Sequence, residues 1–86
     1  MKSLSALGEF LKRHRQLGLT TTILSEMAGT TPPHMSKMKR DGIKTSKYAA
    51  RLYLGIKAAH PDLRFDMVDL VLTKKEQEEI RKEWMQ

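Results

Sequence analysis

Apolar residues recur at intervals of three and four along most of this chain, and no long alternating run interrupts them. Such spacing places apolar side chains along one side of an α-helix, whereas a half-buried strand needs a period of two. The pattern therefore predicts an all-α protein, a small bundle of about five to six helices. Glycine or proline punctuates the pattern at Gly18, Gly29, Gly42 and Pro61, where helices are expected to end.

The first helix is expected near the N-terminus, with Ser3 or Ser5 as its N-cap and Gly18 as its stop. Its predicted inward positions are Leu7, Phe10, Leu11 and either His14 or Leu17. Its other side carries Lys12, Arg13 and Arg15. These cations suit either a solvated face or contacts to phosphate groups.

A second, short helix is expected after the segment LTTTIL begins, with Thr20 as its N-cap and with its end at Ala28-Gly29. Its predicted buried residues are Ile23, Leu24 and Met27.

Two consecutive prolines, Pro32 and Pro33, mark the start of a third helix. Thr31 is a suitable N-cap, and proline is tolerated in a first helical turn because its missing N–H has no partner within the helix there. Met35 and Met38, three residues apart, are predicted to point inward. The predicted outer face consists of Pro32, Pro33, Ser36, Lys37 and Arg40.

The second and third helices together match a helix-turn-helix unit, in which the later helix presents a polar and basic outer face. Ser25 is small enough for two helices to cross closely, and Gly29 suits a left-handed turn. Met35 is apolar, as an anchor of the third helix on the second must be.

The chain beyond Gly42 predicts three further elements. A fourth helix starts at Thr45 or Ser46 and ends near His60-Pro61. Its predicted inward residues are Tyr48, Ala49, Leu52, Tyr53 and Ile56. The apolar segment FDMVDLVL favours one or two helical turns capped by Asp66, with a strand as the alternative. Thr73 and Glu76 then form a capping box that opens a last, highly charged helix.

Positive charge is concentrated in the first half of the chain, whose total net charge is +6. Residues 1–44 hold eight Lys or Arg against three acids, giving +5, whereas residues 45–86 hold eight against seven, giving +1. A basic surface on one side attracts phosphate backbones or anionic membranes. The charge distribution therefore favours a nucleic acid as partner.

The length of 86 residues fits one domain, 1–86, which is too small for a deep active site between lobes. The absence of cysteine excludes disulfides and cysteine-ligated zinc, and it fits a cytosolic setting. No apolar run has the length of a signal peptide or approaches the roughly 20 residues of a membrane span. We therefore expect a soluble cytoplasmic protein with no membrane partner.

Enzymatic chemistry is not predicted. His14, His34 and His60 lie twenty or more residues apart, with no acidic residues at metal-ligand spacing around them. The chain has no nucleophile elbow and no phosphate loop, and many of its acids cluster on the last helix. The sequence thus predicts no catalytic residue, no metal and no cofactor.

The segment RQLGLTTTILSEMAGTTPPHMSKMKRDGIK resembles the Cro/repressor class of helix-turn-helix proteins. The likeness runs from Arg15 to about Lys44, with helical flanks of the expected kind on both sides. Thr21, Ser25 and Thr30 stand where that class usually has glutamine, alanine and valine. The resemblance implies a lambda-repressor-like fold, and the short chain is similar to small phage or prophage repressors of the bacterial cytoplasm or nucleoid. Similar folds also serve as antitoxins and bacterial regulators.

The resemblance also implies which residues contact double-stranded DNA. The N-terminus of the second helix would lie on a phosphate, and the third helix would enter the major groove with its N-terminal residues leading. Pro32 and Pro33 would then face thymine methyl groups, while His34, Ser36 and Lys37 would read polar base edges. The full set of predicted DNA-contacting residues is Thr20, Thr21, Thr22, Thr31, Pro32, Pro33, His34, Ser36, Lys37, Lys39, Arg40, Lys44, Thr45, Ser46 and Lys47.

One recognition helix reads few base pairs, so such proteins usually pair across two half-sites. We therefore expect a homodimer on a palindromic operator, with residues 62–86 as the dimerisation segment. Its predicted contact residues are the apolar ones left outside the DNA surface, namely Val68, Leu70, Val71, Leu72, Ile80 and Trp84. The alternative hypothesis is an antitoxin or an adaptor whose last helix, with Trp84, binds another protein.

Overall fold

A computed structural model describes residues 5–84 of the protein. This part of the chain contains six α-helices and no strand, which confirms the predicted small all-α bundle. The helices are α1 (Ala6–Arg13), α2 (Thr21–Ala28), α3 (Pro32–Asp41), α4 (Ser46–Ala59), α5 (Val68–Val71) and α6 (Lys74–Trp84). The expected alternative N-cap Ser3 and the final residues 85–86 of the proposed dimerisation segment lie outside the described residues.

The core lies where α1 to α5 meet. Its largest fully buried side chains are Phe10, Leu7, Leu24, Met35, Leu52, Ile56 and Leu70. Each of these side chains contributes roughly 1.5–3 kcal/mol when it leaves water, so the core is the main source of stability. The inward positions predicted for α3 are confirmed, since Met35 and Met38 are both buried.

Helix α1 begins as predicted but ends earlier. Ser5 is its N-cap, and the Ser5 hydroxyl accepts a hydrogen bond from the N–H of Gly8. The α-helix stops at Arg13, and a short 3-10 turn over Arg15–Leu17 follows it. Gly18, at φ 66°, ends that turn in the left-handed conformation that glycine adopts without strain.

Helix α2 confirms its predicted ends and corrects one of its buried residues. Thr20 is the N-cap and Gly29 the C-cap. Leu24 is fully buried, whereas Ile23 is 40% exposed. The face that packs on the bundle continues through Ser25 and Ala28, both buried, which turns Ile23 toward solvent.

Helix α4 starts after Thr45 and ends at Ala59 before His60-Pro61, as predicted, although the Thr45 side chain makes no capping hydrogen bond. The segment after it forms the four-residue helix α5, so the strand alternative is wrong. Asp66 does not cap this helix. Instead the Asp66 N–H donates to the carboxylate of Asp69, because the loop places Met67 at the N-cap position.

The capping box at the start of α6 is confirmed. The Thr73 N–H donates to a Glu76 carboxylate oxygen at 2.9 Å, and the Glu76 N–H donates to the Thr73 hydroxyl at 3.1 Å. Hydrogen bonding from the Thr73 N–H, and then from the Thr73 side chain, lowers the pKa of Glu76 because it favours the charged carboxylate. None of the side chains of α6 is buried, so the hydrogen bonds at its first turn are important for its stability.

Candidate nucleic-acid interface

The turn between α2 and α3 has the geometry that the sequence predicts. Gly29 has φ 70°, and its N–H donates to the carbonyl of Glu26 at 3.3 Å. The next N–H, of Thr30, donates to the carbonyl of Ser25 at 2.9 Å. These bonds satisfy carbonyl groups at the end of α2 and fix the direction in which α3 starts.

Helix α3 starts at the two prolines. The hydroxyl of Thr31 accepts a hydrogen bond from the N–H of His34, and the prolines occupy the first two positions of the helix. The five residues of the predicted outer face, Pro32, Pro33, Ser36, Lys37 and Arg40, are all exposed. This face contains no acidic residue.

The N-terminus of α2 lies beside the last turn of α3. The Thr20 hydroxyl accepts from the N–H of Ile23, and Thr20 and Thr22 are exposed. The Lys39 ammonium donates to the hydroxyl of Thr21 at 3.0 Å. A positive side chain therefore lies at a helix N-terminus, where the free N–H groups and the helix dipole also favour an anion.

Lys39, one of the predicted DNA-contacting residues, is not freely exposed. Its side chain is half-buried and is directed to Thr21 across the helix pair. Any anion that Lys39 contacts must therefore lie close to the start of α2. Arg40, in contrast, is exposed on the outer face of α3.

His34 is also less open than the neighbouring residues of α3. Its ring is half-buried, with Nδ1 2.7 Å from the Thr30 hydroxyl oxygen. The ring also meets the Tyr48 ring edge-on, with centroids 5.3 Å apart. A side chain predicted only to read bases is therefore also part of the packing between α3 and α4.

The start of α4 carries the remaining predicted DNA-contacting residues. Lys44, Thr45, Ser46 and Lys47 are all exposed. The ammonium of Lys47 lies 5.9 Å from the centroid of the Tyr48 ring, which joins this basic segment to the pair of rings that includes His34.

Two residues that support α2 and α3 were not predicted. The Arg51 guanidinium on α4 donates to the carbonyl of Ala28 at 2.9 Å, where a cation also complements the C-terminal end of the α2 dipole. The Ser5 hydroxyl donates to the carbonyl of Lys39 at 2.7 Å. No local signal in the sequence marks either contact, because the partners lie 23 and 34 positions apart.

Glycines also allow α2 to approach its neighbours closely. A Cβ atom at Gly29 would lie 2.9 Å from the Arg51 guanidinium nitrogen Nη1. A Cβ atom at Gly55 on α4 would lie 2.9 Å from the Met27 side chain. Gly29 is therefore required by its backbone conformation, and a side chain at this position would also displace the end of the Arg51 side chain.

The predicted dimerisation residues differ in how exposed they are. Val68, Val71 and Ile80 are exposed, Leu72 is half-buried, and Trp84 is 83% exposed. Leu70 is fully buried in the core, which corrects its assignment to an intersubunit surface. It points inward because α5 packs against α1, and only its neighbours on the helix face outward.

Asp69 connects α5 with α6. Its carboxylate accepts hydrogen bonds from the Lys74 ammonium at 3.2 Å and from the Gln77 amide at 3.1 Å. Partial burial acts to raise the pKa of Asp69, but the hydrogen bonds from Asp66, Gln77 and Lys74 outweigh it and lower the pKa. This carboxylate is thus held in its charged form.

His14 packs beside Phe10, with its ring centroid 4.7 Å from that of Phe10. Burial and the charge of Arg13 lower the pKa of His14 despite the opposing charge of Asp69.

Among residues 5–84, no group of three or more His, Cys, Asp or Glu side chains could hold a metal ion. None of the helices in that part of the chain is both long and apolar enough to cross a membrane.

Comparisons of the chain with protein-family models, with curated proteins and with solved structures find no match.

Proposed function

We propose that this protein is a sequence-specific transcriptional regulator that binds double-stranded DNA, acting as a phage or prophage repressor on a palindromic operator. The observation that carries the proposal is the outer face of α3, which is exposed, partly basic and free of acids. Buried Met35 and Met38 hold the opposite side of the same helix. A helix mounted in this way can enter a major groove without losing its own fold.

The surroundings of α3 supply the phosphate contacts that such docking needs. Thr21 and Lys39 meet at the N-terminus of α2, and Lys44 and Lys47 are exposed near the N-terminus of α4. Phosphate contacts fix the position and register of the protein on the duplex, whereas base contacts give specificity. Phosphate contacts at the N-termini of α2 and α4 would therefore hold α3 in the groove from both sides.

The proposed mode of action is repression by occlusion, because a bound dimer that covers an operator can block transcription without an effector or an activator. The cytoplasm or nucleoid of a bacterium is the proposed location.

The experiment that tests this function is selection of bound sequences from a random pool of DNA duplexes, followed by mobility-shift assays at two salt concentrations. We expect one palindromic sequence, with half-sites separated by about one helical turn, to form a tight complex at both. Weak binding of all sequences that disappears at the higher salt concentration would contradict the proposal.

A second candidate function is supported by α6. Trp84 is 83% exposed, and α6 has no buried side chain. An exposed tryptophan is typical of the centre of a protein interface, so an antitoxin or an adaptor would use this helix to bind another protein. A protein of that class would keep its partner after Lys37→Ala and lose it after Trp84→Ala.

A further inference from the structure

Thr30 occupies a fixed position in the turn between α2 and α3. It follows Gly29, whose φ of 70° sets the turn, and its own N–H donates to the carbonyl of Ser25 at 2.9 Å. Its side chain is half-buried, and the hydroxyl oxygen lies 2.7 Å from Nδ1 of His34. The turn therefore places a hydrogen-bonding group against the first turn of α3.

The imidazole of His34 is held at two points. Thr30 contacts Nδ1, and Tyr48 packs against the ring at an interplanar angle of 81° with centroids 5.3 Å apart. The nearby Pro33, Ser36 and Lys37 are exposed, whereas His34 is half-buried. A ring restrained at a nitrogen and at an edge loses little rotamer freedom when it binds a ligand.

The other ring nitrogen, Nε2, has no hydrogen-bond partner among the described residues. It is not fully buried, because no buried side-chain nitrogen or oxygen of those residues lacks a partner. A hydroxyl can donate to Nδ1 or accept from Nδ1–H, and donation by Thr30 would make Nδ1 an acceptor and leave the ring proton on Nε2. Nε2–H would then be a donor near the N-terminus of α3 that no described residue uses.

We propose that Thr30 is a positioning residue that determines sequence specificity, by holding His34 with Nε2–H directed at a hydrogen-bond acceptor on a base edge. In the major groove guanine offers two adjacent acceptors, N7 and O6, so guanine is the base that His34 selects. This inference rests on the proposed function, and it assigns one base preference to one pair of residues.

The first test does not require DNA. Nitrogen chemical shifts of the His34 ring, measured by NMR in the full chain at a pH where the ring is neutral, distinguish the two tautomers. We expect the Nε2–H form in the natural protein and in Thr30→Ser, and a mixture of both forms in Thr30→Val. A natural protein with the proton on Nδ1, or an unchanged tautomer in Thr30→Val, would overturn the proposal.

The second test compares base preferences by selection from a random duplex pool. Thr30→Val keeps the shape of the side chain and removes only the hydroxyl, so thermal unfolding should change little. We expect Thr30→Val and His34→Ala to lose preference for guanine at the same position in each half-site, by about 5- to 100-fold. Thr30→Ser should retain it, and the double variant should match His34→Ala alone.

The same selection separates a base contact from a phosphate contact, because a phosphate also accepts a hydrogen bond from Nε2–H. If His34→Ala weakens binding to every sequence equally and lowers the salt dependence, Nε2 contacts phosphate and the proposal is wrong. If the natural protein enriches no sequence, the proposed function itself fails, and that result is recognisable without any variant.

Discussion

Helices α3 and α6 both carry many polar side chains, but the rest of the molecule holds them in different ways. Helix α3 buries Met35 and Met38 and is fixed at its last turn by Ser5, whose hydroxyl donates to the carbonyl of Lys39. Helix α6 buries no side chain. Its connections to the bundle are made at its first turn, where Lys74 and Gln77 donate to Asp69.

The two helices present different kinds of exposed surface. The outer face of α3 is polar on a helix whose inner face is packed, so its exposure does not depend on a partner. On α6 the exposed residues include Ile80 and Trp84, which are apolar and would be stabilised by a contact that removes them from water. The first arrangement suits a rigid reading surface for DNA, and the second suits an interface between protein chains.

The largest effect is expected from breaking the support of α3 at the turn. Gly29→Val places a β-branched residue at φ 70° and displaces the Arg51 guanidinium from Ala28. We expect a loss of about 2–4 kcal/mol in the free energy of unfolding, with loss of DNA binding. Chemical denaturation and mobility-shift assays measure the two effects.

Gly18→Val is the matched control for this change. Gly18 has φ 66°, but a Cβ atom there would meet no atom within 4 Å. Gly18→Val should therefore lower the free energy of unfolding only by the cost of a left-handed backbone conformation, roughly 1–2 kcal/mol. Equal destabilisation by both variants would show that the contact between Gly29 and Arg51 contributes nothing.

The next effect concerns α6. Truncation before Thr73, or Trp84→Ala alone, should convert a dimer to a monomer in sedimentation and lower operator affinity by about a hundredfold. Helices α1 to α4 should stay folded, because α6 buries no side chain. Leu54→Ala removes an exposed apolar residue of α4 and serves as control. If the truncated chain still dimerises and binds equally well, dimerisation does not use α6.

A smaller effect on DNA affinity should distinguish Lys37 on the outer face of α3 from Lys44, which precedes α4. Lys37→Ala on α3 should lower operator affinity by about 1–3 kcal/mol and relax the base preference. Lys44→Ala should weaken all sequences alike and reduce the slope of affinity against salt by about one unit. Lys75→Ala on α6 is a control with the same change of charge. Identical behaviour of Lys37→Ala and Lys44→Ala would refute the separate roles.

The smallest effect is expected from removing the charge of Asp69, whose carboxylate connects α5 with α6. The pKa of Asp69 is lower in the folded protein than in the unfolded chain. Its stabilising contribution is therefore present above the unfolded pKa of about 3.9 and is lost as the pH falls through the folded value. Asp69→Asn should cost about 1 kcal/mol near neutral pH and remove this acid dependence. Circular dichroism in the helical band, recorded during chemical denaturation across the acid range, follows both. An unchanged acid transition in Asp69→Asn would assign it to another group.

The sequence by itself determined most of the features that depend on neighbouring residues. The N-caps Thr20 and Thr31, the left-handed Gly29 and the capping box at Thr73 were all predicted, because each involves groups within about four positions of one another. The inward face of α3 was predictable for the same reason, since helical spacing places Met35 and Met38 on one side.

Short elements were less predictable because they carry too few residues for a periodic pattern. Helix α5 has only four residues, so spacing did not distinguish buried Leu70 from its exposed neighbour Val71. The same lack of pattern led to Asp66 as the predicted cap, whereas the Asp66 N–H donates to the Asp69 carboxylate. The packing of α5 against α1 decided that Leu70 is buried.

Only the tertiary structure decided which distant groups meet. Lys39 contacts Thr21, Arg51 contacts Ala28, and Ser5 contacts Lys39, across 18, 23 and 34 positions of the chain. Each depends on the crossing of whole helices, which local spacing does not encode. The orientation of His34 is of the same kind, because its ring packs on Tyr48 only where α4 passes beside the start of α3. The chain specified which residues face outward on α3, and the packing of α4 specified how the half-buried His34 beside them is held.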